Sequence, residues 1–172
     1  MNSTDSYKRK AYVKERNDRM NQHKKDILSH YNHSIAFADS LKSVSEDEWR
    51  TPIGEGKWTV AEVIGHFVPW DEFVLHQRLP YFFSTEELPK GPDAEETNHR
   101  AASKAREDSQ EKTIDGFISA RTALCKAVGE IPDEKWERTF TIGKTTLSLS
   151  QYLKGLKDHD EHHFSQIKNA LK

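Results

Sequence analysis

The sequence predicts an all-α protein, a four-helix bundle carrying an internal two-helix pseudo-repeat. Three observations lead there. Apolar residues recur at helical spacing over four separate stretches. Two of those stretches open on a hydroxyl residue with Glu or Gln three positions on, the signature of a capping box. The two halves of the chain also echo each other in order and character.

The first helix is expected from about Tyr12 to Lys42, where Ile27, Leu28, Tyr31, Ile35, Ala38 and Leu41 keep helical intervals; residues 1–15 read as a mobile or helical extension. The second begins after Thr59, an N-cap with Glu62 at the capping-box position. Its stripe is Val60, Val63, Ile64, Phe67 and Val74, and it runs out near Pro80. Residues 84–110 hold no apolar side chain larger than alanine except Leu88. They read as a long polar connection, with helix allowed in the Ala-rich part, and substrate specificity is expected to reside there. The third helix carries Ile114, Phe117, Ile118, Leu124 and Val128 and ends before Pro132. "TFTIGKTTLSL" alternates polar and apolar residues around Gly143-Lys144, which leaves room for a short hairpin. The fourth helix starts from Ser148, with Gln151 completing its capping box, and continues through Leu149, Leu153, Leu156, Ile167 and Ala170.

"SLKSVSEDEW" (40–49) parallels "LCKAVGEIPDEKW" (124–136), and "WTVAEVIGHFVPWDEF" (58–73) lies over "LSLSQYLKGLKDHDEH" (147–162) without a gap. Two helix–link–helix units of this kind fit a bundle whose long links permit crossover connections.

At 172 residues one domain, 1–172, is expected. Lys and Arg number 26 against 28 Asp and Glu, a formal charge of -2, so no global field argues for nucleic acid or an acidic membrane as partner. The basic run "YKRKAYVKERNDR" is interrupted by Glu15 and Asp18 and reads as a solvated helix face. Cys125 is the single cysteine, which excludes an intramolecular disulfide; beside apolar helix positions it reads as a buried, inert thiol. With no signal-peptide core and no apolar run near the roughly 18 residues of a membrane span, the chain reads as cytoplasmic.

The stretch "KDHDEHHFSQ" (157–166) crowds three of nine histidines together. At 100° per residue, His163 falls almost on the line of Leu149, Leu153, Leu156 and Ile167, His159 within roughly 60° of it, and His162 more than roughly 100° away, on the wet side. A buried imidazole with an unpaired nitrogen costs about 1–3 kcal/mol. Two at i,i+4 on one stripe could share a metal ion, each turning its other nitrogen outward. Hydrogen bonds to carboxylates of neighbouring helices would satisfy the pair as well. His30, His33, His66 and His76 are candidates for a third ligand, and periodicity alone does not choose among them. His76 sits opposite its helix's stripe, His66 at the stripe's flank, and His30 and His33 beside Tyr31 are weaker.

"GKWTVAEVIGH" (56–66) followed by "LSQYLKGLKDHDEHHFSQI" (149–167) resembles the DinB/YfiT-like metal-dependent superfamily, from about residue 25 to the end. Trp58, Thr59, Val60 and His66 match the first part of the family pattern; His159, His163, Gln166 and Ile167 match the second. The resemblance implies a DinB/YfiT-type four-helix bundle in which His66, His159 and His163 hold zinc, nickel or a related divalent ion. It also implies a homodimer.

A three-histidine site leaves positions open for water or substrate, the catalytic arrangement. Such an ion lowers the pKa of water toward about 7 or holds a thiolate. Known members of the resembled family transfer low-molecular-weight thiols such as bacillithiol or mycothiol, isomerise with a thiol cofactor, or are classed as metal-dependent hydrolases. The expectation is therefore an enzyme transferring a small thiol to a small-molecule electrophile, in stress or antibiotic detoxification. The alternatives are a hydrolase using the same site and a non-catalytic metal- or small-molecule-binding bundle. Asp71 and Asp160 occupy equivalent places in the half-repeats. They are candidates to accept from ligand imidazoles or to act as a base, against a structural pairing with Lys or Arg at the end of the bundle. Trp49, Trp58, Trp70 and Trp136 are expected to anchor helix junctions, with Trp70 packed in the core or lining a pocket mouth.

Overall fold

The computed structural model describes residues 3–84 and 87–172, with side chains described from residue 22 onward. The chain runs through α1 (Ser3–Ser40), α2 (Glu46–Trp49), α3 (Val60–Phe73), α4 (Ala94–Glu107), α5 (Gln110–Gly129), β1 (Thr139–Ile142), β2 (Thr145–Ser148) and α6 (Leu149–Ala170). The bundle is α1, α3, α5 and α6: α5 packs against both α1 and α3, and α6 against α1. Phe67 of α3 meets Phe164 of α6 with ring centroids 5.5 Å apart. No helix among the described residues is long and apolar enough to cross a membrane.

The two helix starts expected from capping boxes hold to the residue. Thr59 Oγ1 accepts from the Glu62 N–H and Glu62 returns a carboxylate to the Thr59 N–H at 2.8 Å; Ser148 and Gln151 repeat the exchange. The pseudo-repeat extends into the backbone. Pro52 pairs with Thr59 as β1 pairs with β2, where Thr139 faces Ser148. The Val60 N–H reaches the Thr51 carbonyl at 3.0 Å, and its counterpart Leu149 reaches Arg138 at 3.2 Å. Trp49 and Trp136, one per half, are wholly buried. The hairpin turns on Gly143 at φ +61°, a left-handed conformation that favours glycine.

Three expectations are refined. The helix allowed in the Ala-rich part of 84–110 is α4, fourteen residues long and packed along α3. Its buried residues are Thr97, Ala102 and Ala105, so small side chains make a close interface that a search for large apolar residues overlooks. The second helix does not run regularly to Pro80, because α3 passes at Val74–Arg78 into a π-helical turn. The first begins at Ser3, so the described part of the 1–15 extension is helical. The side chains of the basic run at 7–19 lie outside those described.

The core falls into two apolar clusters. One gathers Trp49, Ile64, Phe67, Phe117, Phe164 and Ile167; the other gathers Tyr31, Val74, Leu124, Trp136, Leu149 and Leu153. On every bundle helix a buried polar residue stands between the two: His30 and Ser34 on α1, Asp71 on α3, Arg121 on α5, Asp160 on α6.

The α3–α4 contact is tight at Gly65, where an added Cβ would lie 2.7 Å from the Ala105 Cβ; at Gly155, exposed on α6, it would meet nothing within 4 Å. Gly65→Ala should therefore destabilise by ~1–3 kcal/mol through overpacking. Gly155→Ala should stabilise by ~0.5–1 kcal/mol through helix propensity. Urea unfolding midpoints of the two variants moving in the same direction would refute this account of the interface.

Candidate metal centre

His66 is set by α3, one turn past the capping box, and is 2 % exposed. Its Nδ1–H donates to the Val63 carbonyl at 2.5 Å, which fixes Nε2 as the bare nitrogen; Nε2 is buried and has no hydrogen-bond partner. α6 brings His159 and His163 to the same place by their i,i+4 spacing, ring centroids 4.7 Å apart. The His66 ring lies 5.5 Å from His159 and 4.8 Å from His163. One nitrogen from each of the three lies within 4.8 Å of the others, and no other such group of His, Cys, Asp and Glu occurs among the described residues. The Nδ1–H of His163 donates to Gln166 Oε1 at 2.8 Å, which turns Nε2 toward the cluster.

Burial favours the neutral imidazole at two of the three histidines. Burial lowers the His66 pKa to about 3, against a smaller opposing effect of the Val63 carbonyl. His163 is lowered as well, first by burial and then by the neighbouring His159. Tetrahedral ligation at about 2.1 Å wants nitrogens about 3.4 Å apart, within reach of small side-chain rotations from the separations observed. The orphaned, unprotonated Nε2 of His66 is what a metal ligand requires, and the donor set fits a divalent ion.

The helical-wheel expectation for α6 needs correction. The buried line runs through Leu149, Leu153, Asp160, Phe164 and Ile167. Counting Asp160 and Phe164 turns the core face away from the histidines. His163 is half-buried at its edge and His159, its side chain 50 % exposed, stands on the rim. His162 and His76 are exposed, as expected. His33 is exposed too, while His30 is buried and bonds Asp160 through Nε2 at 2.9 Å, away from the cluster.

Behind the histidines lies the charged layer. Arg121, 1 % exposed, donates Nε–H to Asp71 Oδ2 at 2.7 Å and Nη1–H to Asp160 Oδ2, which also takes the His30 contact. Asp71 and Asp160 thus pair with an arginine at the middle of the bundle rather than at its end. His159 Nδ1 is 3.9 Å from Asp160 Oδ1, too long for a hydrogen bond. One guanidinium cannot neutralise two carboxylates. Burial would raise both, but the Arg121 charge wins at Asp160 and holds it well below the usual carboxylate range. At Asp71 burial wins over the same guanidinium and raises the pKa to about 6.

A cleft of about 440 Å³ joins the two groups, lined by His66, His159, Asp71, Arg121, Trp70 and Asn98 among others. Trp70 is half-buried on its wall, with Nε1–H held by Asn98 Oδ1 at 2.8 Å, and so lines a pocket rather than packing in the core. Cys125 is half-buried on α5 and does not line the cleft; burial pushes its thiol pKa up.

Fold and site together define a helical bundle with a three-histidine cluster able to hold a metal ion, beside a largely apolar cleft that carries a few charged and polar side chains. The chain belongs to the DinB superfamily, whose family model matches residues 30–167. Among solved structures it is similar to YfiT from Bacillus subtilis, described as a probable metal-dependent hydrolase with an unusual four-helix bundle topology. The two share 17 % identity over 86 % of this chain and 85 % of that one, with a TM-score of 0.71. Comparison with curated proteins gives no significant match.

Arg121 went unnoticed in the sequence, although the signal was present. It stands four residues after Phe117 and three before Leu124, on the third helix's own apolar stripe.

Asp71 has a raised folded pKa, so the folded protein keeps its proton longer than the unfolded chain does. Its contribution to stability is full below the unfolded pKa, near 3.9, and is lost as pH rises toward about 6. In chelator-treated protein, the stability of the wild type minus that of Asp71→Asn should fall between pH 4 and 6. Urea unfolding at several pH values checks this, and a difference that stays flat or rises would contradict it.

Proposed function

We propose that this protein is a metal-dependent enzyme in which His66, His159 and His163 hold a divalent ion, zinc or nickel, facing a small-molecule cleft. The observation that carries the reading is the buried His66 Nε2, unpartnered and turned toward two further imidazoles. An ion held there supplies Lewis acidity, favouring the deprotonated form of a nucleophile near neutral pH.

The chain's own residues do the rest. Gln166 keeps His163 in the tautomer that presents Nε2, and the Val63 carbonyl does the same for His66. Asp160, fixed by Arg121 and His30, anchors the turn of α6 between the two ligand histidines. Asp71 lines the cleft with a pKa of about 6, suited to accepting a proton from a nucleophile. Asn98 brings α4, and with it the 84–110 segment, to the cleft wall and thereby into substrate selection.

The reaction assigned is transfer of a low-molecular-weight thiol to a small electrophile. Cys125 lies outside the cleft with its thiol pKa raised, so the sulfur nucleophile is external. Hydrolysis with water in the thiol's place is the second reading, supported by the likeness to YfiT.

Elemental mass spectrometry of untagged protein should find close to one divalent ion per chain, lost in His66→Ala, His159→Ala and His163→Ala. A metal-free wild type that neither zinc nor nickel reloads would sink the enzyme reading. Gln166→Ala should weaken metal binding by about 10–100-fold without loss of fold. With loaded protein, consumption of an electrophile panel with and without added thiol separates transfer from hydrolysis.

A further inference from the structure

Arg78, 6 % exposed, sits in the π-helical turn that continues α3 and lines the cleft shared by His66 and His159. Its Nη1–H donates to the Pro89 carbonyl at 2.5 Å, and its guanidinium lies over the Phe73 ring, 4.6 Å from the centroid. Its Nε–H is buried and has no acceptor. Among the described residues no carboxylate pairs with it, and the cleft's Asp71 and Asp160 are both engaged by Arg121. A guanidinium is always charged and costly to bury without a counter-charge. Holding the Pro89 carbonyl and the Tyr152 hydroxyl needs N–H groups, which a neutral donor could supply, and covering Phe73 needs no charge. None of these tasks calls for the charge of an arginine.

The neighbourhood adds donors. Asn98 spends its oxygen on Trp70, which leaves its amide N–H groups facing other partners. The Tyr152 hydroxyl lines the same cleft and takes a hydrogen bond from Arg78; burial raises its pKa and the charge and hydrogen bond of Arg78 oppose the shift. Positive charge and N–H and O–H groups thus line a cleft whose two acids are already engaged by another arginine.

We propose that Arg78 binds an oxyanion, carboxylate or phosphate, carried by the small molecule on which the histidine cluster acts. The anion site stands on Arg78 alone; what happens at the molecule's other end rests on the metal-enzyme reading. His66 and Arg78 are twelve residues apart on α3 and its continuation, about 18 Å between α-carbons at 1.5 Å per residue, less the reach of the two side chains. The ligand is therefore elongated, its anionic and reacting groups at opposite ends. A planar guanidinium offering Nε–H and an Nη–H side by side suits two-point binding of either anion.

The test is a titration of the full chain with inorganic phosphate and, separately, with acetate, in metal-free and zinc-loaded forms. The readouts are the arginine Nε–H and tryptophan indole N–H signals by NMR. One Nε–H signal, missing from the spectrum of Arg78→Lys, should shift saturably in both forms. Arg78→Met should weaken that binding tenfold or more and leave zinc content unchanged. The tighter anion identifies the headgroup. If neither anion moves the Arg78 signal, the proposal is wrong. It is equally wrong if binding needs zinc and survives Arg78→Met, since the anion then sits on the metal. Should Arg78→Met fail to fold, the wild-type titration read against Arg78→Lys decides. Anion binding at Arg78 in a protein that takes up no zinc would sustain this proposal while ending the metal-enzyme reading.

Discussion

The bundle turns on one buried cation. Arg121 reaches from α5 to Asp71 on α3 and Asp160 on α6, and through Asp160 to His30 on α1, so all four bundle helices meet at a single charged layer. Its guanidinium lies 5.0 Å from the ring centroids of both Tyr31 and Phe117, aromatic neighbours that help shield it from water. Removing one partner of a buried ion pair costs about 3–5 kcal/mol, whereas the pair itself adds little beyond a greasy replacement. The layer therefore contributes register more than stability. Two apolar clusters that could slide past one another are locked by bonds with only one satisfying alignment.

That register positions the candidate metal centre. Asp71 lies five residues from His66, and Asp160 stands between His159 and His163, so the groups gripped by Arg121 are on the same turns that carry the imidazoles. The depth gradient follows from the same geometry. His66 is enclosed, His163 half-buried and His159 on the rim, which leaves one side of the cluster open to the cleft. Enclosure keeps the deepest imidazole unprotonated, and openness admits a substrate.

The architecture was legible because its signals are local. Capping boxes at Thr59 and Ser148 and the Gly143-Lys144 turn write their geometry into four or fewer residues. The extent and packing of α4 were hidden because its packing surface is made of alanine and threonine against Gly65, and small residues leave no stripe. At the site, the apolar residues alone put His163 almost on the core line and His159 inside the apolar sector, because that line leaves out Asp160. It faces inward only because Arg121 waits there, on an element 39 residues away in sequence. Periodicity ranks residues by hydropathy, and a buried ion pair is the arrangement it cannot rank.

The near-twofold repetition of the chain divides its labour. Shifting the first half by 89 positions lays Thr59 on Ser148, Glu62 on Gln151 and Asp71 on Asp160, the residues that start helices and hold the charged layer. The same shift lays His66 on Gly155, Trp70 on His159 and Val74 on His163. The capping and charged-layer positions are duplicated, and every candidate ligand stands where the halves disagree. A doubled fold therefore offers one histidine-lined mouth instead of a mirrored pair, and its two ends are free to meet different things.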